Sequence, residues 1–145
     1  MDFDARKLID SAGDAIIVAD AKGTMAFWNA AAERLFGYPQ SEALGQSLDL
    51  IIPERQRARH WEGYEKTMAT GQTRYGTQLL RVPAMHRDGR RMSIAFTVTL
   101  LFGSDGTVQA IAAILRDDTE RWQLERKLQA DGKAHAAGGS AQTSS

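Results

Sequence analysis

The chain has 145 residues, 43% of them hydrophobic and 25% charged, with 18 basic residues against 18 acidic ones. That length builds one core and is short for two, and the composition is that of a globular protein. Zero net charge argues against a broad electrostatic footprint for nucleic acid, and the absence of cysteine excludes disulfides, thiolate metal sites and thiol catalysis.

Residues 1–13 read as an amphipathic helix with Leu8, Ile9 and Ala12 on its apolar side. Asp2 and Asp4 suit its positive end and Gly13 its stop. No apolar signal segment or membrane-spanning run is visible, so a cytoplasmic protein with no membrane partner is expected. Ile16–Ala19 and Met25–Trp28 flank a turn at Asp20–Gly23, which predicts a hairpin. Asn29 is an N-cap ahead of Ala30-Ala31-Ala32, Leu35 and Phe36 form an apolar end, and Gly37 stops the helix. Pro39 to Leu50 reads as small helical turns with Leu44 and Leu48 directed inward.

Pro53 opens the longest helical pattern, Glu54–Thr70, closed by Gly71. Trp61, Tyr64 and Met68 are three and four apart and share a face, which His60 borders. Arg55, Arg57 and Arg59 read as solvated surface. Three strands are expected next. Thr73–Met85 comes first, with Pro83 marking an edge or a bulge. After the turn His86-Arg87-Asp88-Gly89, residues Met92, Ile94, Phe96, Val98 and Leu100 alternate with small and polar ones. Val108–Leu115 is almost wholly apolar, as a central strand should be, and the long helix is expected opposite these last three strands. Residues 119–130 return to helical spacing at Leu124 and Leu128, and 131–145 reads as a disordered tail.

No P-loop, GxGxxG, HExxH or GxSxG is present, so no catalytic residue is assigned and an enzyme is not expected. His86, in a turn, and His135, in the tail, are expected to face solvent.

Taken in order, the first hairpin, Trp28-Asn29, Ala32-Glu33, Leu35-Phe36-Gly37-Tyr38, Leu44-Gly45, Ile52-Pro53, Arg87-Asp88-Gly89 and Arg116-Asp117-Asp118-Thr119-Glu120-Arg121 resemble a PAS domain over residues 5–130. The resemblance implies an α+β fold. Its core, residues 14–118, is a five-stranded antiparallel sheet with short helices and one long helix on one face, flanked by N- and C-terminal helices. It implies a sensory module that binds a small ligand in an apolar pocket, forms a homodimer and relays a signal to a histidine kinase or another effector in trans. The N-terminal helix is expected on the sheet's outer face, at the dimer contact. The helix 119–130 is the one that carries the signal in such domains, although Asp118 stands where the family commonly has an apolar residue.

Pro53–Tyr64 also resembles the helix of haem-binding members. That likeness implies haem b held by His60 as iron ligand, in a pocket with Tyr64, Leu80, Ile94, Phe96 and Val98, and a propionate paired with Lys66 or an arginine. Gln78 and Tyr64 are the polar groups expected in the pocket. Two positions depart from the rhizobial oxygen-sensor pattern: Leu80 falls where a distal Arg is expected, with Arg81 facing the other way, and Phe96 replaces a smaller aliphatic residue. The alternative is a protein-interaction domain without ligand. A flavin is disfavoured, and a cysteinyl-flavin adduct is excluded by the lack of Cys.

Overall fold

The computed structural model describes residues 1–73 and 76–139. The chain runs α1 (Ala5–Ser11), β1 (Ala15–Asp20), β2 (Met25–Trp28), α2 (Ala30–Phe36), α3 (Gln40–Ala43), a 3-10 turn (Leu48–Ile51), α4 (Glu54–Thr70), β3 (Leu80–Met85), β4 (Arg91–Phe102), β5 (Val108–Asp117) and α5 (Thr119–Gly139). The strands form one five-stranded antiparallel sheet, as expected, and their order is β2-β1-β5-β4-β3. β3 is an edge, where Pro83 can do without its missing donor.

The β1–β2 turn forms because Asp20 Oδ1 accepts from the backbone N–H of Lys22 (2.9 Å) and Thr24 (3.0 Å). Gly23 there adopts φ +83°, which a side chain would resist. Asn29 caps α2, accepting from Ala32 N at 3.0 Å, and Gly37 closes it in the left-handed conformation. Glu33, one place beyond a capping box, instead accepts from Gln40 N at the start of α3.

Register puts Ala15 opposite Leu115, Leu115 opposite Phe96, and Phe96 opposite Leu80. Cross-strand partners share a face, so Leu80, Ile94, Phe96 and Val98 lie on the same side as Ile17 and Leu115. This inner face meets Trp28, Ala32, Phe36, Ala43 and Ile51 in the core. Trp28 is 0% exposed, its ring centroid lies 5.4 Å from that of Phe36, and its Nε1 donates to Tyr38 O. Leu44 turns outward, and Ala43 takes the interior place.

Several elements differ from expectation. The third strand begins at Leu80 rather than Thr73: Gly76 takes φ +58° and Gln78 is exposed. Tyr75, assigned to that strand, lies outside the described residues. α1 buries no residue and leaves Leu8 exposed, as is Phe3 ahead of it, so it does not cover the outer face of the sheet. It sits beside α2, held by Asn29 Nδ2 donating to Ile9 O (2.9 Å) and by the Arg6 guanidinium 4.9 Å from the centre of the Phe27 ring. Its C-cap is Ala12, at φ −58°, and Gly13 is not left-handed. α5 continues past Ala130 to Gly139. Ala130, Ala134, Ala136 and Ala137 favour helix whether or not anything is buried. Residues 140–145 of the expected tail lie outside the described residues. No helix among the described residues is long and apolar enough to cross a membrane.

α4 departs most. Its side-chain hydrogen bonds to other segments go to the β1–β2 turn and to the 3-10 turn with its flank, and none reaches the last three strands among the described residues. Tyr64 OH donates to Asp20 O (2.6 Å), Trp61 Nε1 to Asp49 Oδ1 (2.7 Å), and Arg57 to the carbonyls of Ile52 (3.0 Å) and Asp49 (3.2 Å). Arg57 is therefore a strut, not free surface. The Trp61 ring presses on Gly23, where a Cβ would collide with it. Of the Trp61, Tyr64 and Met68 face only Tyr64 is buried, and polar anchors hold the helix to those turns.

Candidate functional site

α4 and the inner face of the sheet supply the six residues marked by the sequence. Ile94 belongs to the core. Phe96 packs against that core but stays half-exposed, as do its neighbour Val98 and its cross-strand partner Leu80. Apolar side chains on one strand face thus go from buried at Ile94 to half-open at Phe96, Val98 and Leu100.

His60 and Tyr64 form a separate cluster on α4. The His60 ring lies edge-on to Trp61 at 4.7 Å and tilted against Tyr64 at 5.6 Å. Burial lowers its pKa below the ordinary 6.5, and the Asp49 carboxylate opposes that shift in part. The ring is therefore neutral at neutral pH, as a metal-ligating or hydrogen-bonding imidazole must be. Its Nδ1 is buried without a partner. The Tyr64 phenol is raised to about 12 by burial and by Asp20, and its proton is committed to the Asp20 carbonyl. Tyr64 is thus an anchor. No hydrogen bond or ring contact joins His60 to Leu80, Ile94, Phe96 or Val98 among the described residues.

The sequence reading missed Gln56, whose Oε1 is also buried without a partner. Its spacing of four from His60 was the available signal. The expected polar group Gln78 is exposed. Of what a porphyrin needs, the residues supply a partly open apolar face, a neutral imidazole set apart from that face, and exposed Arg55, Arg59 and Lys66, which form no ion pair among the described residues. Two open cavities lie elsewhere. One, of about 200 Å³, touches Arg81, Met92, Asp118 and Trp122; the other, of about 260 Å³, lies between α1 and α2 at Arg6, Asn29 and Glu33.

Asp117-Asp118-Thr119 fastens α5 to the sheet. Thr119 N donates to Asp117 Oδ1 (2.8 Å), Asp118 N to Ser93 O (2.8 Å), and Ser93 N to Thr119 Oγ1 (3.1 Å). The Asp118 side chain is 13% exposed and lies 3.3 Å from Arg81 Nε and 3.6 Å from Arg121 Nη1. Arg81 therefore faces away from Leu80, as its register requires. His86 is not solvated as expected: its side chain is 16% exposed, lies where a Cβ on Gly37 would meet it at 2.6 Å, and accepts from Asp88 N through Nδ1. The His135 side chain lies outside the described part of the chain.

A family model described as the PAS fold matches residues 4–117. The chain is 29% identical over 126 residues to the sensor protein FixL of Bradyrhizobium diazoefficiens, covering 86% of this chain and 24% of that protein. It is 27% identical over 103 residues to the oxygen sensor protein DosP of Escherichia coli, covering 71% and 13%. It thus spans less than a quarter of the length of the curated relatives it matches. The crystal structure of a PAS domain from Colwellia psychrerythraea superposes with a TM-score of 0.70 at 23% identity, over 80% of this chain and 95% of that one.

Proposed function

This chain belongs to the PAS family, and on that premise we propose that it is a sensory module that takes a small ligand on the half-open face of Leu80, Phe96 and Val98 and passes the signal through α5. It is homologous to parts of two sensor proteins. The observation that carries this reading is the change of burial along β4. Ile94 is sealed in the core, whereas Phe96, Val98 and Leu100 on the same face are only partly buried beside β5. Leaving apolar surface in water is unfavourable, and a ligand that covers it gains affinity from its burial.

The finer form of the reading places haem b there. His60 would hold the iron through a ring nitrogen, the apolar side chains would take the porphyrin faces, and Arg55, Arg59 or Lys66 would pair with its carboxylates. When bound, the group supplies a coordination position for a diatomic gas. That the Escherichia coli relative DosP is an oxygen sensor supports this form. The same reading takes the module as non-catalytic, cytoplasmic and homodimeric, acting on a histidine kinase or another effector in trans. The exposure of Leu124 (56%) and Leu128 (61%) on α5 favours the dimer or partner contact.

Haemin titration tests the finer form. Wild-type protein should develop an intense violet absorption band that shifts on reduction and with carbon monoxide. His60→Ala should lose it while keeping the fold, and Phe96→Leu should strengthen uptake by opening the face. Protein that ignores haemin in both the wild-type and Phe96→Leu forms would sink the haem reading and leave the face to another apolar ligand.

A further inference from the structure

We propose that Gln56 is a positioning residue: its side-chain oxygen accepts from Nδ1–H of His60 and so sets which ring nitrogen of His60 keeps a free lone pair. The proposal rests on the reading of His60 as the imidazole that faces the ligand.

Gln56 and His60 are four apart on α4, so their side chains lie one above the other on the same helix face. Helical side chains lean toward the N-terminus, which carries the His60 ring over the turn that holds Gln56. Among the described residues three buried side-chain atoms lack a hydrogen-bond partner: Gln56 Oε1, His60 Nδ1 and Asp118 Oδ2. Asp118 Oδ2 has two arginines beside it. The other two are the pair that the helix stacks.

Two polar neighbours of the ring are already committed, and the Asp49 carboxylate, which also acts on the ring, is the rival acceptor. Trp61 Nε1 donates to Asp49 Oδ1, and Tyr64 OH donates to Asp20 O. The amide oxygen of Gln56 can only accept, and a neutral imidazole carries one N–H and one lone pair. A bond between the two orphans therefore requires the proton on Nδ1 and leaves the lone pair on Nε2. A rotamer change of the Gln56 side chain would satisfy both buried atoms at once. Imidazoles that ligate metals are oriented in this way, by an acceptor on the ring nitrogen that does not bind.

The test is the tautomer of His60 in the ligand-free, full-length protein, read by long-range proton–nitrogen correlation of the ¹⁵N-labelled imidazoles at a pH where the ring is neutral. Wild type should show Nδ1–H. Gln56→Leu should shift His60 to Nε2–H or to an average of the two. Gln56→Glu, which keeps an acceptor, should retain Nδ1–H. Nε2–H in the wild type, or Nδ1–H unchanged in Gln56→Leu, overturns the proposal. So does loss of Nδ1–H in Asp49→Asn with retention in Gln56→Leu, which would make Asp49 the acceptor. If Gln56→Leu fails to fold, the wild-type tautomer decides alone. Haemin affinity, measured separately, should fall about tenfold in Gln56→Leu. Protein that shows the tautomer effect but ignores haemin keeps this inference and loses the haem reading; protein that binds haemin with Nε2–H in its ligand-free form does the reverse.

Discussion

The side-chain amide of Asn29 donates to the carbonyl oxygen of Ile9 at 2.9 Å, and through that bond one buried residue reaches the N-terminal helix. The same side chain donates to Asp14 O (3.1 Å) and accepts from Ile16 N (2.9 Å) and Ala32 N (3.0 Å). All four hydrogen-bonding positions of the amide are filled at 1% exposure, so Asn29 joins α1, β1 and α2 with nothing left unmet.

Asn29→Ala removes the cap of α2 and strands two backbone N–H and two carbonyl groups. A cap is worth about 1 kcal/mol and a buried orphan about 1–3 kcal/mol; the Ile9 and Asp14 carbonyls can turn to water, so the cap and the Ile16 N–H set an expected loss of roughly 3 kcal/mol. Urea unfolding measures it, and a loss below about 1 kcal/mol would show that the junction rehydrates at little cost.

Gly23→Ala should act at a distance. The new methyl group must sit at φ +83° and in the space of the Trp61 ring. The left-handed conformation alone costs about 1 kcal/mol or more, and the displaced ring should draw α4 away from Asp49. Tryptophan fluorescence should shift to the red together with the loss of stability; a stability change without a spectral shift would mean that Trp61 is not the residue displaced.

His60 sets a pH dependence. Its folded pKa lies below 6.5, so the unfolded chain takes up the proton first as pH falls. The contribution is fully present above about 6.5 and is lost as the pH drops from there through the folded pKa. The lowered carboxylates Asp88 and Asp105 lose theirs in a separate window, below their ordinary 3.8. Urea midpoints should fall between pH about 7.5 and 5.5 in the wild type and fall less in His60→Gln. Equal slopes would assign the effect to another group.

Asp118 predicts a coupling between the edge strand and α5. A double-mutant cycle on Arg81→Ala and Asp118→Ala should give about 0.5–1 kcal/mol, falling as salt rises, because Arg81 is partly solvated. Amide exchange at residues 119–122 should quicken in Arg81→Ala. Unchanged exchange would assign the fastening of α5 to the bonds of Ser93 with Asp118 and Thr119.

What the sequence made legible was local chemistry. Asn29 as a cap, Gly37 as a stop, Pro83 on an edge and the alternation Met92 to Leu100 each follow from a few neighbouring residues, and each lies where it was expected. The position of α4 was not legible, because it depends on Tyr64 meeting Asp20 and Trp61 meeting Gly23, forty-four and thirty-eight residues away. Alternation at Thr73–Leu79 misled in the opposite sense: the pattern resembles a strand, but the turn at Gly76 keeps pairing from starting before Leu80. Of the candidate site, the apolar strand face was visible as a period of two. Gln56 was not, because a glutamine on a polar helix reads as solvated until its burial is known.

The order of the strands also governs when the fold can form. β1 lies between β2 and β5, so the strand that starts at Ala15 waits for the one that starts at Val108. The two hairpins, β1–β2 and β3–β4, can each form early from near neighbours, but contacts of such long sequence separation close slowly. On a ribosome both hairpins would emerge before the strand that unites them, each with one flank open. A chain released before Val108 would hold two half-sheets without the strand that pairs with both.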